Sequence, residues 1–207
     1  MKLIIVALLL WLPATSAIIR TFREAKASMK VTYRTSDCGR AGTDADVATS
    51  PGFIDKEGKL IWIIEGKAVK GDAGDNLEAG TSKEFIQELT YSEMIRMEEA
   101  CTLYSNFNQE AYDECFHPNF LNFRVHSWST NIFAEWKPDD MTVLFQFGTR
   151  SRESILLTST FTTGGCSVDW VHGFTGNYYL CKHRYHEIGK EWLPRGPSPV
   201  AGNRYQC

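Results

Sequence analysis

The chain has 207 residues, a formal net charge of −3 and an aromatic content of 13%. Such a length suits one domain with a sizeable core. The mild acidity and the lack of a basic stripe exclude the electrostatic footprint of a nucleic-acid binder. No run after residue 17 approaches the roughly 18 continuous apolar residues of a membrane span.

Lys2, the unbroken apolar run Leu3–Leu12, the break at Pro13 and the small residues Thr15-Ser16-Ala17 read as a secretory signal peptide over residues 1–17. Residues 18–207 then form a single β-rich extracellular domain. All six cysteines (Cys38, Cys101, Cys115, Cys166, Cys181 and Cys207) follow the expected cut. An even number in an exported chain reads as three disulfides, with about 15 possible connectivities. No CxxC pair or regular Cys/His spacing suggests zinc. No Asn-X-Ser/Thr sequon occurs, so N-linked glycan is not expected.

Met29–Tyr33 is a candidate short strand. Asp37–Pro51 is small and polar and reads as a loop held by Cys38. Asp44 and Asp46 lack the further ligands of a calcium loop. Lys56–Lys59 has turn chemistry between two short strands. The second of these, Leu60–Ile64, is apolar on both faces, which predicts a central buried strand. Gly71–Gly80 is a further loop.

Lys83–Tyr104 carries two patterns. Thr81-Ser82-Lys83-Glu84 fits a capping box, and Phe85, Ile86 and Leu89 share a helical face, so helix is the favoured reading. Phe85, Leu89 and Tyr91 also fit strand alternation. Glu110–Cys115 adds a helical turn that His117-Pro118 ends. Phe120–Trp136 reads as two strands about a turn near Ser129–Asn131, and Trp136–Asp140 as a turn.

Val143, Phe145 and Phe147 then alternate with Leu144 and Gln146, and Ile155, Leu157, Ser159 and Phe161 with Leu156 and three threonines. Gly164-Gly165 permits a sharp bend beside Cys166. Asn177–His186 is a last strand, and the proline-bearing tail runs as surface coil. About seven to nine strands, neighbours in sequence, favour antiparallel pairing in a mainly β fold: a sandwich, a closed barrel or a strongly curved sheet.

No nucleophile elbow, P-loop, GxGxxG or HExxH occurs, and an exported cysteine is no thiolate nucleophile, so the chain reads as non-catalytic. His183 and His186 point to opposite faces of a strand, wrong for sharing a metal. No metal or cofactor is expected. Trp62, Ile64, Val143, Phe145, Phe147, Leu157, Phe161 and Tyr179 suit either a core face or the lining of an apolar groove. The leading expectation is a groove for a lipid-like small molecule. The alternative is a fully packed sandwich acting through its surface, and a third reading, a small hydrolase, requires an acidic residue and a histidine converging in a cleft.

With these elements laid out, the chain resembles the ependymin-related family. The hairpin Phe53–Trp62, the segment Glu93–Cys101, Trp136, Gly165-Cys166, Tyr178-Tyr179 and the terminal Cys207 are similar to that family's pattern. The resemblance implies two antiparallel sheets curved into a half-barrel around an apolar groove, with one or two short helices. It also implies an amphiphilic ligand, a homodimer or an extracellular-matrix partner, a Cys38–Cys166 disulfide, and a strand where Thr81 signals a helix. The family's frequent sequons are missing here.

Overall fold

The alternation of Ala27–Thr35 shows how the first sheet is built. Ala27, Met29, Val31, Tyr33 and Thr35 point inward and are buried, while Ser28, Lys30, Thr32 and Arg34 face outward. The computed structural model describes residues 26–39, 41–43, 45–69, 77–126, 136–148, 154–167, 176–182, 201–202 and 204–205. Among them nine strands follow in order: β1 (Ala27–Thr35), β2 (Asp46–Ile54), β3 (Leu60–Ile63), β4 (Ala68–Val69), β5 (Ser82–Glu88), β6 (Phe120–His126), β7 (Pro138–Gly148), β8 (Ser154–Thr162) and β9 (Gly176–Cys181). Two helices, α1 (Tyr91–Ser105) and α2 (Gln109–Cys115), lie between β5 and β6. Neither is long and apolar enough to cross a membrane.

The fold is mainly β, in two antiparallel sheets. One has the order β5-β1-β7-β8, and the other β3-β2-β6-β9 with β4 also pairing with β2. The sheets do not close into a barrel, which removes that option. Their inner faces meet in one core. Tyr33 donates to Thr49 Oγ1 across the sheets at 2.8 Å. Trp62 packs edge-on to Phe145 with ring centroids 6.1 Å apart. Trp136 packs edge-on to Tyr33 on one side and Phe123 on the other, at 6.0 and 6.3 Å.

Several elements differ from expectation. Asp37–Pro51 is not all loop, because β2 begins at Asp46 and is buried on both faces despite its small polar residues. Pro51 sits within this central strand where the β4 pairing has ended and that of β3 has not begun, so its missing N–H disturbs neither ladder. Leu60–Ile64 is an edge strand, not a central one. Its two apolar faces come from a register shift in the β2–β3 pairing. Trp62, opposite Phe53, joins the intersheet core, whereas Leu60, opposite Ile54, joins a second cluster with Phe120 on the other face. Tyr205 packs on that second cluster, and the tail bonds the edge: Gly202 N–H donates to Leu60 O at 2.7 Å and Tyr205 N–H to Gly58 O at 2.8 Å. Gly58 has φ +76°, and a Cβ there would lie 2.2 Å from Tyr205 O, so the turn needs glycine.

Lys83–Tyr104 divides into strand and helix. The Thr81–Glu84 signal is overturned: Ser82–Glu88 pairs with β1 in full register as β5. The operative capping box lies nine residues on, where Glu93 N–H donates to Thr90 Oγ1 at 3.3 Å and Thr90 N–H to Glu93 Oε2 at 2.7 Å. Trp136–Asp140 is not a free turn either, because β7 starts at Pro138, opposite Thr35.

Cys38 is bonded to Cys166 and Cys101 to Cys115, the first being the pairing that the resemblance implied. Cys181 is also disulfide-bonded. Cys207, the signal segment 1–17, the turn at Ser129–Asn131, and His183 and His186 lie outside the described residues.

Candidate functional site

The residues expected to line a groove divide in two. Trp62, Ile64, Val143, Phe145, Phe147 and Phe161 are buried in the intersheet core, and Leu157 is half-buried against it. Their alternation turns them toward the opposite sheet, where Phe145 meets Trp62 edge-on, and Phe145 also stacks on Phe147 of its own strand at 6.0 Å. Tyr179 lies instead with the second cluster, stacked on Phe120 at 5.8 Å and edge-on to Tyr205 at 5.6 Å.

A pocket of about 190 Å³ lies elsewhere, lined by Phe53, Glu114, His117, Pro118, Asn119, Ser159 and Lys182. None of the eight residues singled out in the sequence is among them. Four pieces of chain form it. β2 supplies Phe53 next to its end at Ile54, the end of α2 and the segment after it carry Glu114 and His117 to Asn119, β8 supplies Ser159 from the other sheet, and Lys182 follows β9. Asn119 fixes the geometry. Its Oδ1 accepts from Ile54 N–H at 2.8 Å, its Nδ2 donates to Ile54 O at 2.9 Å, and its carbonyl accepts from Lys182 N–H at 2.7 Å. One side chain thereby ties the start of β6 to β2, and its backbone holds the end of β9.

Phe53 and Pro118 are buried apolar walls, while Glu114 and His117 are exposed at the rim and Lys182 is half-buried. Ser159 is 1% exposed and its Oγ has no hydrogen-bond partner. Glu114 and His117 thus share a cleft with a serine, the convergence that the hydrolase reading required. Ser159 Oγ nevertheless makes no hydrogen bond, so no base is seated on it as a serine nucleophile needs. The described residues contain no group of three His, Cys, Asp or Glu arranged to hold a metal ion.

The tyrosines beside this region are held in their neutral form. Burial, then the negative charge of Glu114, Asp55 and Glu57, raises the Tyr104 phenol. Burial, then Glu98 and Asp113, pushes Tyr112 up to about 12 from 10.0. Because the folded value is the higher, the stability tied to neutral Tyr112 is fully present below pH 10 and is lost as pH rises toward about 12. Tyr112 Oη is also buried without a partner. Tyr112→Phe should therefore remove that alkaline loss and leave neutral stability unchanged or raised by up to about 1 kcal/mol. Urea midpoints at about pH 8 and about pH 11 check both parts; an alkaline loss of the same size in the variant would exclude Tyr112 as its source.

The second surface feature is an edge. β8 ends the first sheet, and its nine residues, SILLTSTFT, include no charge, proline or glycine. Ile155 is 39% and Leu156 57% exposed, and Thr158 and Thr160 face solvent. Thr142 and Thr160 hydroxyls share a hydrogen bond across the β7–β8 pair at 3.0 Å. The other edges differ. β5 carries Lys83, Glu84 and Glu88, with Glu84 bonded to Lys30 at 2.7 Å, β3 is bonded by the tail, and β9 is only six residues long. Charge, cover and shortness protect an edge from pairing, and β8 has neither charge nor shortness.

No protein-family profile matches the chain, and no curated protein matches it. Solved structures similar to it include coral 8R-lipoxygenase (12% identity, TM-score 0.43, covering 74% of this chain and 16% of that one). A LOX deletion variant in complex with arachidonate has 16% identity and TM-score 0.39, over 75% of this chain and 16% of that one. The alpha toxin from Clostridium absonum has 16% identity and TM-score 0.35, over 67% and 31%. This chain thus spans less than a third of the length of each, and at such scores the likeness carries no argument about fold or function.

Proposed function

We propose that this is a non-catalytic interaction protein of the extracellular space, which works through the surface of a packed β-sandwich and pairs along the β8 edge with a second copy of itself. The observation that carries this reading is the placement of Val143, Phe145, Phe147 and Phe161 in the intersheet core, which leaves the surface to do the binding. The bonded cysteines support an oxidising compartment. An antiparallel strand pair between copies is two-fold symmetric, so an uncharged strand meets no like charge in its partner. Such strand addition would extend the four-stranded sheet across the axis and cover Ile155 and Leu156.

Sedimentation velocity from low to high micromolar concentration tests it. The wild type should shift from monomer to dimer, and Thr158→Lys, an exposed substitution that sets like charges near the axis, should stay monomeric with unchanged thermal unfolding. A wild type that is monomeric throughout would overturn the pairing. The competing proposal is a groove for a lipid-like ligand along the aromatic face. It predicts a lipid released by organic extraction and saturable binding of a fluorescent fatty acid, whereas a filled face predicts neither.

A further inference from the structure

We infer that the tip of the α1–α2 hairpin is a docking site for a basic amphipathic segment of another protein, one whose apolar stripe is flanked by lysines or arginines. Leu103, near the end of α1, and Phe107, in the turn beyond it, are 82% and 100% exposed. A single exposed apolar side chain is ordinary, but Phe107 is also held in a costly conformation. Asn106 and Phe107 have φ of 44° and 69°, two successive left-handed residues. Glycine meets such a turn without cost, whereas a bulky side chain does not. A strained backbone that holds an aromatic ring fully in water points to a contact outside the chain. The Cys101–Cys115 disulfide staples the hairpin, and Asn108 N–H closes the turn on Ser105 O at 2.9 Å. The ring is therefore presented in a fixed place, and little order is lost when it binds.

Charge decides the occupant. From Met97 to Phe123 the chain carries no lysine or arginine. Glu99 on α1, and Glu110 and Glu114 on α2, are exposed and make no ion pair among the described residues. Burial raises the phenol of Tyr104, the neighbour of Leu103, and so do Glu114, Asp55 and Glu57, so the turn between β2 and β3 adds to the same negative field. An apolar tip in that field meets both of its needs on a surface with apolar side chains and cations side by side. An anionic lipid surface would repel the carboxylates instead. The inference shares the reading of a protein that acts through its surface, but the hairpin is not part of the β8 edge, so the two contacts stand or fall separately.

Fluorescence-anisotropy titration of the intact, oxidised protein with two labelled synthetic peptides of equal charge tests the inference. One has leucines at helical spacing among lysines, and the other has the same lysines with serine in place of every leucine. The leucine peptide should bind saturably, and the serine peptide at least about tenfold more weakly. Phe107→Ala should weaken the leucine peptide by about tenfold without changing the unfolding midpoint. Glu99→Gln with Glu110→Gln, both at exposed positions, should weaken it about threefold and flatten its dependence on salt. Equal affinity for the two peptides would reduce the effect to bare charge attraction and overturn the site. Unchanged affinity in Phe107→Ala, or no saturable binding of the leucine peptide, would overturn it too. Phosphatidylcholine vesicles that sediment the wild type but not Phe107→Ala would give the tip to a membrane and overturn the protein partner.

Discussion

Replacing Cys38 and Cys166 together by alanine is expected to cost about 5 kcal/mol and to leave the domain largely unfolded at physiological temperature. The bridge spans 128 residues of sequence, so it removes more freedom from the unfolded chain than a short loop does. It also closes the end of the sandwich where four segments meet. Ser36 N–H donates to Lys137 O at 2.9 Å, Lys137 N–H to Ala41 O at 3.0 Å, and Gly80 N–H to Ser36 O at 3.1 Å, while Lys137 Nζ reaches Cys166 O at 3.3 Å. Replacing Cys101 and Cys115, which close only 14 residues between two helices already joined by a short turn, should cost about 3 kcal/mol. Guanidinium unfolding of the two double variants, with m-values compared to the wild type, checks the order. If the short loop proved the more costly to lose, local packing of α1 and α2, and not chain entropy, would set the value of these bridges.

The strands that the sequence revealed are those that are half-buried. β1, β7 and β8 alternate because one face meets the other sheet and one meets water, and period two is then visible in Met29-Lys30-Val31-Thr32-Tyr33 or Val143-Leu144-Phe145. β2 was hidden because it is buried on both faces by small residues, so neither alternation nor an apolar run marks it. Two capping-box patterns, Thr81–Glu84 and Thr90–Glu93, compete within ten residues, and local sequence does not rank them. Pairing with β1 does: Ser82–Glu88 gains a full ladder of backbone bonds as a strand, and the helix starts where that ladder ends.

The pocket was hidden for another reason. Phe53, His117 and Ser159 come from three distant parts of the chain, and only the two-sheet arrangement brings them together. One signal was present. Ser159 interrupts an otherwise apolar inward row, and a polar residue at a core position needs a partner or a purpose. The aromatic alternation, in contrast, pointed to the place where the sheets seal against each other.

Trp136→Ala should be the most damaging single core substitution, at about 4–5 kcal/mol. Trp136 belongs to no strand beyond an isolated backbone bridge, yet its indole is fully buried and stands between the sheets. It touches Tyr33 of β1 and Phe123 of β6 edge-on, so its removal opens a cavity walled by both sheets. The loss has a second part. Nε1 donates to Thr35 Oγ1 at 3.1 Å, and that hydroxyl donates onward to Leu77 O at 3.3 Å, so truncation leaves Thr35 with one of its two bonds. Trp136→Phe separates the two parts, because it keeps most of the packing and drops the donor; about 1–2 kcal/mol is expected for it. Phe107→Ala provides the contrast: its ring is 100% exposed on the turn between α1 and α2, and its removal should change stability by less than about 0.5 kcal/mol. Chemical unfolding of the three variants would show the difference directly. Equal losses for Trp136→Phe and Trp136→Ala would assign the cost to the indole hydrogen bond, whereas a small loss for the first and a large one for the second would make Trp136 the plug that holds the sheets apart at packing distance.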